Sequence, residues 1–336
     1  MLQEAREAPA AVRALLHQEM ERLEALAAHL RREPPVGILT LARGSSDHAA
    51  QHAGYLIMAR LGRLVTSLPM SLVTLTHANL AQPGLLALAF SQSGQSPDLV
   101  DPLRYFRANG ATTAAFVNEA SSPLAQEAEW VIPLHAGAER SVAATKSFIA
   151  QLAAGAGLVA AWQRDAALTD ALMALPEALT AASTADWSAG VEPLATADRL
   201  FILGRGTGLA LAQEAALKLK ETCGIQAEAF SGAEVRHGPM AIVEAGFPLI
   251  VFAPRGPAQA GLLALAQDLR AQGARVLLAA PPDAKGVDLP LTSAPHPDLD
   301  TLTAIQSFYP MVEALSRRRG HDPDHPPRLA KVTRTR

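Results

Sequence analysis

Thiols are nearly absent: Cys223 is the single cysteine in 336 residues. That excludes an intrachain disulfide framework and any metal site built from several thiolates, and it points to a reducing compartment. Charge is scarce too. Only 18% of residues are charged and the formal net charge is −3, so there is no basic face to follow a nucleic-acid backbone. Aromatics make up 4%, too few to interleave with basic residues and stack bases. No apolar run reaches membrane-spanning length, and residues 1–33 mix acids and bases with Leu and Ala at helical spacing, unlike a signal peptide. What the chain has in quantity is apolar residues, 49% of the total, ample for a large core and for two domains. The expectation is a cytoplasmic protein with neither nucleic acid nor membrane as partner.

Residues 85–90 form an apolar run without alternation, bounded by turn residues, which predicts a strand buried on both faces, as in a parallel sheet. Ser91-Gln92-Ser93-Gly94-Gln95-Ser96 follows, then Pro97 in the first turn of a predicted helix. Hydroxyls and backbone N–H groups converging on a helix N-terminus bind phosphate. Ser and Gly also mark ordinary loops, but the combination of buried strand, hydroxyl-rich loop and helix start points to an anion site. A similar unit begins at 36–41 and passes through Ala42-Arg43-Gly44-Ser45-Ser46-Asp47 into a helix rich in Ala and His. Further strands are expected within 61–75, at 111–117 and at 130–134, with a helix over 99–109 closed by Gly110. Such alternation builds parallel βαβ units. Upstream, Leu15, Leu16, Met20, Leu23, Leu26, Ala27 and Leu30 share one stripe of a helix that ends before Pro34-Pro35 and packs on a domain or on a second subunit.

The second half repeats the first. Arg43-Gly44-Ser45 meets Arg205-Gly206-Thr207, Ala50-Gln51 meets Ala212-Gln213, Ala53 meets Ala215, and Phe90 and Gly94 meet Phe252 and Gly256, all 162 positions apart (206 minus 44). Gly110-Ala111 meets Gly273-Ala274 at an offset of 163. The copies diverge at the loop: 253–257 reads Ala-Pro-Arg-Gly-Pro, with no hydroxyl and two prolines that lack an N–H. The second copy is therefore expected to have lost the anion site.

Residues able to do chemistry gather in that second copy: Lys218, Lys220 and Glu221 on a predicted helix, then Glu228, Glu234, Arg236, His237, Gly238 and Pro239. Lys218 and Glu221 share a helix face. Alone, such a pair is an ordinary surface salt bridge; in a cleft, a carboxylate beside an ammonium can move a proton between adjacent carbons. His237, in a turn, can serve as an acid or base or as a plain loop residue. Other motifs carry less. His48 and His52 have metal-ligand spacing without an acidic third ligand, so a helix-surface pair is expected. His321-Asp322-Pro323-Asp324-His325 reads as a solvated connector. Arg205-Gly206-Thr207-Gly208 has Leu211 where a dinucleotide fingerprint needs its third glycine, Thr145-Lys146 lacks the upstream glycine of a P-loop, and Cys223 reads as a packed helix residue. Neither metal nor cofactor is expected.

Taken in order, Ser91-Gln92-Ser93-Gly94-Gln95-Ser96, Ser141-Val142-Ala143-Ala144-Thr145-Lys146, Leu217-Lys218-Leu219-Lys220-Glu221, Glu234-Val235-Arg236-His237-Gly238-Pro239 and Leu329-Ala330-Lys331 resemble the sugar isomerase (SIS) family over about residues 36–332. More narrowly, the chain is similar to the isomerase half of glutamine:fructose-6-phosphate amidotransferase and to type II glucosamine-6-phosphate deaminases. The resemblance implies an α/β fold of two tandem doubly wound parallel-sheet domains, each a three-layer αβα sandwich, with an N-terminal helix (1–33), domains at 34–165 and 195–325, a linker at 166–194 and an extended tail at 326–336. It implies that Ser91, Gln92, Ser93 and Ser96 cradle the phosphate with Ser45 and Ser46, and that Val142 and Ala330 line the sugar. Glu221 becomes the base between C1 and C2, and Lys218 its charge partner. His237 becomes the ring-opening residue, reached from the partner subunit. Lys331 becomes the lysine that closes over the site and forms an imine with the open-chain ketose.

Departures accompany the likeness. The amidotransferase uses an N-terminal cysteine nucleophile, whereas this sequence begins Met1-Leu2 and its thiol lies mid-helix; Arg236 stands where lysine is usual and Arg43 where cysteine is frequent. The expected activity is conversion of glucosamine 6-phosphate to fructose 6-phosphate and ammonia by a homodimer with shared active sites, its partners being phosphorylated amino sugars or ketose 6-phosphates. Alternatives are the isomerase half of a glucosamine-6-phosphate synthase-like enzyme, a related deglycase, and, in another class, a regulator that binds sugar phosphate without chemistry.

Overall fold

The computed structural model describes residues 1–331; the end of the expected tail, 332–336, lies outside the described residues. The chain divides into two compact units, the first made of Glu7–Glu139, Lys146–Met173 and the chain from Ala330, the second of Met1–Arg6, Arg140–Thr145 and Ala174–Leu329.

Helix α1 (Leu2–Arg32) contributes its residues from Glu7 onward to the first unit. Its stripe Leu15, Leu16, Leu23, Leu26, Ala27 and Leu30 is buried. Arg22 donates to the Val131 carbonyl at 3.2 Å and Arg31 to the Ala161 carbonyl at 2.5 Å, so the helix packs on its own domain. Strands β1 (Gly37–Leu41), β2 (Val65–Ser67), β3 (Leu85–Ser91), β4 (Thr112–Val117) and β5 (Trp130–Pro133) form a parallel sheet in the order β2-β1-β3-β4-β5. Helices α2 (Ser45–Leu61), α3 (Ser71–Thr74), α4 (Pro97–Ala108), α5 (Pro123–Glu127), α6 (Lys146–Gln163) and α7 (Ala166–Met173) complete the unit. All seven residues of β3 are buried. Leu85, Ala87 and Ala89 cluster with Leu99, Leu103 and Phe106 of α4, while the alternate residues take the opposite face, where Phe90 stacks on Phe116 with ring centroids 4.6 Å apart.

The second unit contains α8 (Leu175–Ala182), α9 (Val191–Leu194), β6 (Arg199–Gly204), α10 (Thr207–Cys223), β7 (Gln226–Ser231), β8 (Pro248–Phe252), α11 (Gln259–Ala271), β9 (Arg275–Ala280), β10 (Leu289–Pro290) and α12 (Asp300–Arg318). Its parallel sheet runs β10-β9-β8-β6-β7. From the opposite edge this is β7-β6-β8-β9-β10, the topology of the first sheet. In both, the strand order reverses between the first strand and the third (β1 and β3, β6 and β8), where an open α/β sheet forms its ligand crevice.

The duplication extends to backbone angles. Gly44 (φ 55°, ψ −134°) and Gly206 (φ 64°, ψ −133°) each open a 17-residue helix, and Gly62 (φ 63°, ψ 24°) and Gly224 (φ 63°, ψ 28°) close them. These left-handed positions favour glycine, which is why the repeat is visible as glycines at one offset. The stretch 166–194 is itself largely helical, carrying α7, α8 and α9. No helix among the described residues is long and apolar enough to cross a membrane.

Candidate active-site groups in each unit

In the first unit β1 pairs with β3 in the register Leu41 to Ala89, so the loops 42–44 and 92–96 leave the sheet side by side at the switch point. Ser91, buried at the end of β3, accepts the Gly94 N–H on its Oγ at 3.0 Å. Gly94 has φ 62°, and a Cβ there would lie 2.1 Å from Ser122 Oγ, so both backbone and space demand glycine. Ser93 Oγ accepts the Gln95 N–H at 3.4 Å. Ser96 caps α4 with an extended backbone and no hydroxyl bond to the helix, and Pro97 opens the first turn. Ser45 and Ser46 begin α2, and Ser46 Oγ accepts from Gln151 Nε2 at 3.0 Å. Gln92, Ser93, Ser96, Ser45 and Ser46 are half-buried. Two helix starts and five polar side chains thus surround one crevice, a setting suited to an anion. Buried Asp98 in the first turn of α4 is met by the Arg43 guanidinium at 3.2 Å, which offsets a negative charge that would otherwise oppose one.

The tail returns to the same unit. Ala330 is exposed, and Lys331 Nζ lies 2.9 Å from Glu139 Oε2. The Glu139 side chain is fully buried and accepts the N–H and O–H of Ser147 at 3.1 and 2.7 Å. Beside it, buried Lys146 at the start of α6 meets Glu7 at 2.7 Å.

In the second unit, α10 carries Glu214, Lys218 and Glu221 at i, i+4 and i+7, one helix face. Lys218 Nζ is 2.5 Å from Glu221 Oε2 and 3.4 Å from Glu214 Oε1. The Lys218 and Glu214 side chains are 0% exposed, that of Glu221 18%. A buried ammonium gripped by two carboxylates leaves Glu221 as the one that reaches the surface, at a cavity of about 380 Å³ lined also by Leu217, Lys220, Thr222, Gly224, His321, Pro327 and Leu329. With 1.5 Å per residue, Glu221 lies roughly 20 Å along the helix from Gly206 and the switch point.

The remaining expected residues are more dispersed. His237 is exposed, its N–H bonded to the Glu234 carbonyl at 2.8 Å, and it does not line that cavity. Gly238 beside it has φ 130°. Arg236 meets Asp268 at 3.4 Å on the surface. Val142, half-buried, donates its N–H to the Asp324 carbonyl at 3.4 Å. Where the second copy repeats the switch point, Arg255 binds buried Asp300 through Nε at 2.8 Å and Nη2 at 2.6 Å, with Nη2 also on the Ala294 carbonyl at 2.5 Å.

Two expectations change. His52 is wholly buried on α2, not part of a surface pair; packing against α6 is tight enough that a Cβ on Gly155 would come within 2.8 Å of Ala53. The segment 321–329 is more than a solvated connector, because His321, Pro327 and Leu329 line the Glu221 cavity and Asp324 accepts from Ser141 Oγ at 2.8 Å. Leu329 itself stays 48% exposed. Cys223 is buried, its Sγ 3.5 Å from the Val312 carbonyl, and burial pushes the thiol up to about 11. Two carboxylates escaped the reading of the residues: Glu214, whose spacing from Lys218 was a usable signal, and Glu139, which nothing local marks.

The SIS domain family model matches residues 35–161 and 193–280. A glutamine–fructose-6-phosphate aminotransferase (isomerizing) of Zymomonas mobilis is 34% identical over 316 residues, 88% of this chain and 51% of that protein. The chain spans about half the length of the curated relatives it matches. Among solved structures, a Silicibacter pomeroyi protein provisionally described as a phosphosugar isomerase has a TM-score of 0.90 at 43% identity, covering 96% of this chain and 99% of that one. The C-terminal domain of glucosamine-fructose-6-phosphate aminotransferase from Francisella tularensis has a TM-score of 0.82 at 25% identity, with coverage of 97% and 98%.

Proposed function

This chain belongs to the SIS domain family, and on that premise we propose that it is a sugar-phosphate isomerase that releases ammonia from an amino sugar 6-phosphate. The observation that carries the reading is Glu221, a carboxylate fixed at 2.5 Å by a fully buried ammonium and facing a cavity. A base that takes a proton from one carbon and returns it to the next must be held in place and reachable by substrate. In the first unit Ser45, Ser46, Ser91, Gln92, Ser93 and Ser96 supply donors for the phosphate, and Ser91 also holds their loop by accepting the Gly94 N–H.

His237 opens the sugar ring. Glu221 then removes the C2 proton of the open-chain aldehyde; the C–H electrons form the C1–C2 double bond while the C1 carbonyl electrons move to O1, which takes a proton from water, giving an enolamine. Glu221 returns the proton to C1 as the nitrogen lone pair closes onto C2, leaving an iminium at C2. Water adds there, ammonia departs, and a ketose 6-phosphate remains. Lys218 holds Glu221 in position, Val142 and Ala330 contact the sugar, and the Lys331 amine condenses with the open-chain ketose carbonyl, expelling water, to form an imine. The reading includes a cytoplasmic homodimer in which His237 serves the partner's substrate. It keeps the sequence boundaries 34–165 and 195–325 for the two domains.

The test is to incubate the full chain with glucosamine 6-phosphate and follow ammonia and fructose 6-phosphate, expected in equal amounts. No turnover with any hexosamine 6-phosphate sinks the reading. A second reading, the isomerase half of a glucosamine-6-phosphate synthase-like enzyme, is supported by the 34% identity over 88% of the chain to a relative bearing the aminotransferase name. It predicts net formation of glucosamine 6-phosphate from fructose 6-phosphate and ammonium. A pure binder predicts saturable binding with neither product.

A further inference from the structure

A carboxylate with no solvent exposure has to be compensated by donors, and the donors it finds show what it is there to hold. The Glu139 side chain is 0% exposed. Ser147 gives it two hydrogen bonds, from the backbone N–H to Oε1 at 3.1 Å and from the hydroxyl to Oε2 at 2.7 Å. Ser147 lies in the first turn of α6, where the aligned peptide dipoles favour a negative charge. Residues from Lys146 to Trp162 of that helix are all buried, so the clamp sits on a rigid element. Glu139 Oε2 also receives Lys331 Nζ at 2.9 Å. The lysine arrives on a segment with no helix or strand, next to the exposed Ala330. One partner is fixed by the core and the other lies on a segment without regular secondary structure.

We propose that Glu139 is the positioning residue of the C-terminal tail: its buried, serine-clamped carboxylate docks the Lys331 ammonium and thereby places the amine that forms the ketose imine, a role that rests on the reading under Proposed function. An ion pair between two exposed side chains fixes little, because water competes for both ends and entropy opposes holding them. Here the carboxylate is desolvated and already oriented, so docking selects one location for Nζ. Glu139 does not touch the substrate in this scheme; it acts through Lys331.

Full-length wild type, Glu139→Gln and Glu139→Asp are incubated with fructose 6-phosphate and borohydride, and the reduced adduct at Lys331 is followed by mass spectrometry. The maximal trapping rate is expected to fall about tenfold or more in Glu139→Gln, because a misplaced amine loses its approach to the carbonyl carbon. Half-saturating fructose 6-phosphate stays within about threefold, and Glu139→Asp recovers part of the rate. A wild-type trapping rate in Glu139→Gln overturns the proposal, as does a parallel loss of half-saturation and rate that Glu139→Asp does not relieve. Tail docking is read separately without sugar. Trypsin must draw a lysine side chain into its own pocket, so cleavage after Lys331, measured against cleavage after Arg328 in the same sample, rises roughly fivefold in Glu139→Gln if the ion pair holds the tail. An unchanged ratio overturns docking. If wild type yields no adduct at Lys331, the imine reading fails on its own, and the cleavage ratio then decides whether Glu139 docks the tail.

Discussion

The loops after β3 and β8 leave equivalent points of two sheets with the same strand order, and they are filled in opposite ways. After β3 the chain holds its own turn with two hydroxyls, Ser91 on the Gly94 N–H and Ser93 on the Gln95 N–H, and leaves Gln92, Ser93 and Ser96 beside Ser45 and Ser46 at the mouth of the crevice. After β8 the equivalent place holds Arg255, whose guanidinium is bound to Asp300 and to the Ala294 carbonyl. The hydrogen bonds to Asp300 raise the Arg255 guanidinium above its ordinary value, so the cation that could have met a phosphate already has its anion. A duplicated switch point can keep its fold without a ligand by supplying its own ion pair. The second copy instead carries its unusual chemistry at the far end of α10, where Glu221 meets a cavity.

The sharpest way to break this division is Glu221→Gln. Turnover is expected to fall about 10³-fold while fructose 6-phosphate affinity, measured by titration calorimetry, stays within about threefold. Equal loss of both means that the base has been assigned to the wrong residue. Next come paired glycine substitutions. Gly94→Ala puts a Cβ 2.1 Å from Ser122 Oγ at φ 62°, and is expected to weaken fructose 6-phosphate binding by tenfold or more and cost about 2–3 kcal/mol in stability. Gly256→Ala, at φ 132° with nothing within 4 Å, carries only the backbone penalty of about 1 kcal/mol and leaves binding intact. Similar binding losses in the two variants would erase the contrast between the loops.

Arg255→Met should separate stability from function within the second copy. It leaves buried Asp300 short of its guanidinium, so thermal unfolding is expected to show a loss of roughly 2–3 kcal/mol with KM unchanged. A raised KM without destabilisation would mean that Arg255 meets substrate after all. The smallest effect concerns Cys223. Burial raises its thiol to about 11, so the thiolate is rare at neutral pH and becomes common only as pH climbs toward that value. Iodoacetamide labelling of the folded protein is expected to be slow near pH 7 and to accelerate on unfolding; rapid labelling of native protein contradicts the packing described for α10.

The architecture was open to reading because its signals are local. The unbroken apolar run of β3 reports burial on both faces, Pro97 marks the start of α4, and Gly44 and Gly206 betray the repeat because left-handed backbone selects glycine in both. The hydroxyl loop was equally plain. Lys218 and Glu221 announced a shared face, and Glu214 was readable at the same spacing, but only burial distinguishes this trio from a surface salt bridge. Glu139 was invisible: its importance comes from Ser147 eight residues on and Lys331 nearly two hundred residues later, contacts that no periodicity encodes. His52 misled for the same reason, since only the close approach of α6 turns that part of α2 into core.

Proton transfer itself can be watched without nitrogen chemistry by following the C1 hydrogens of fructose 6-phosphate in heavy water by NMR. Wild type is predicted to exchange one C1 hydrogen for deuterium, with Glu221→Gln binding the sugar yet exchanging about 10³-fold more slowly. Exchange by Glu221→Gln at the wild-type rate contradicts the account.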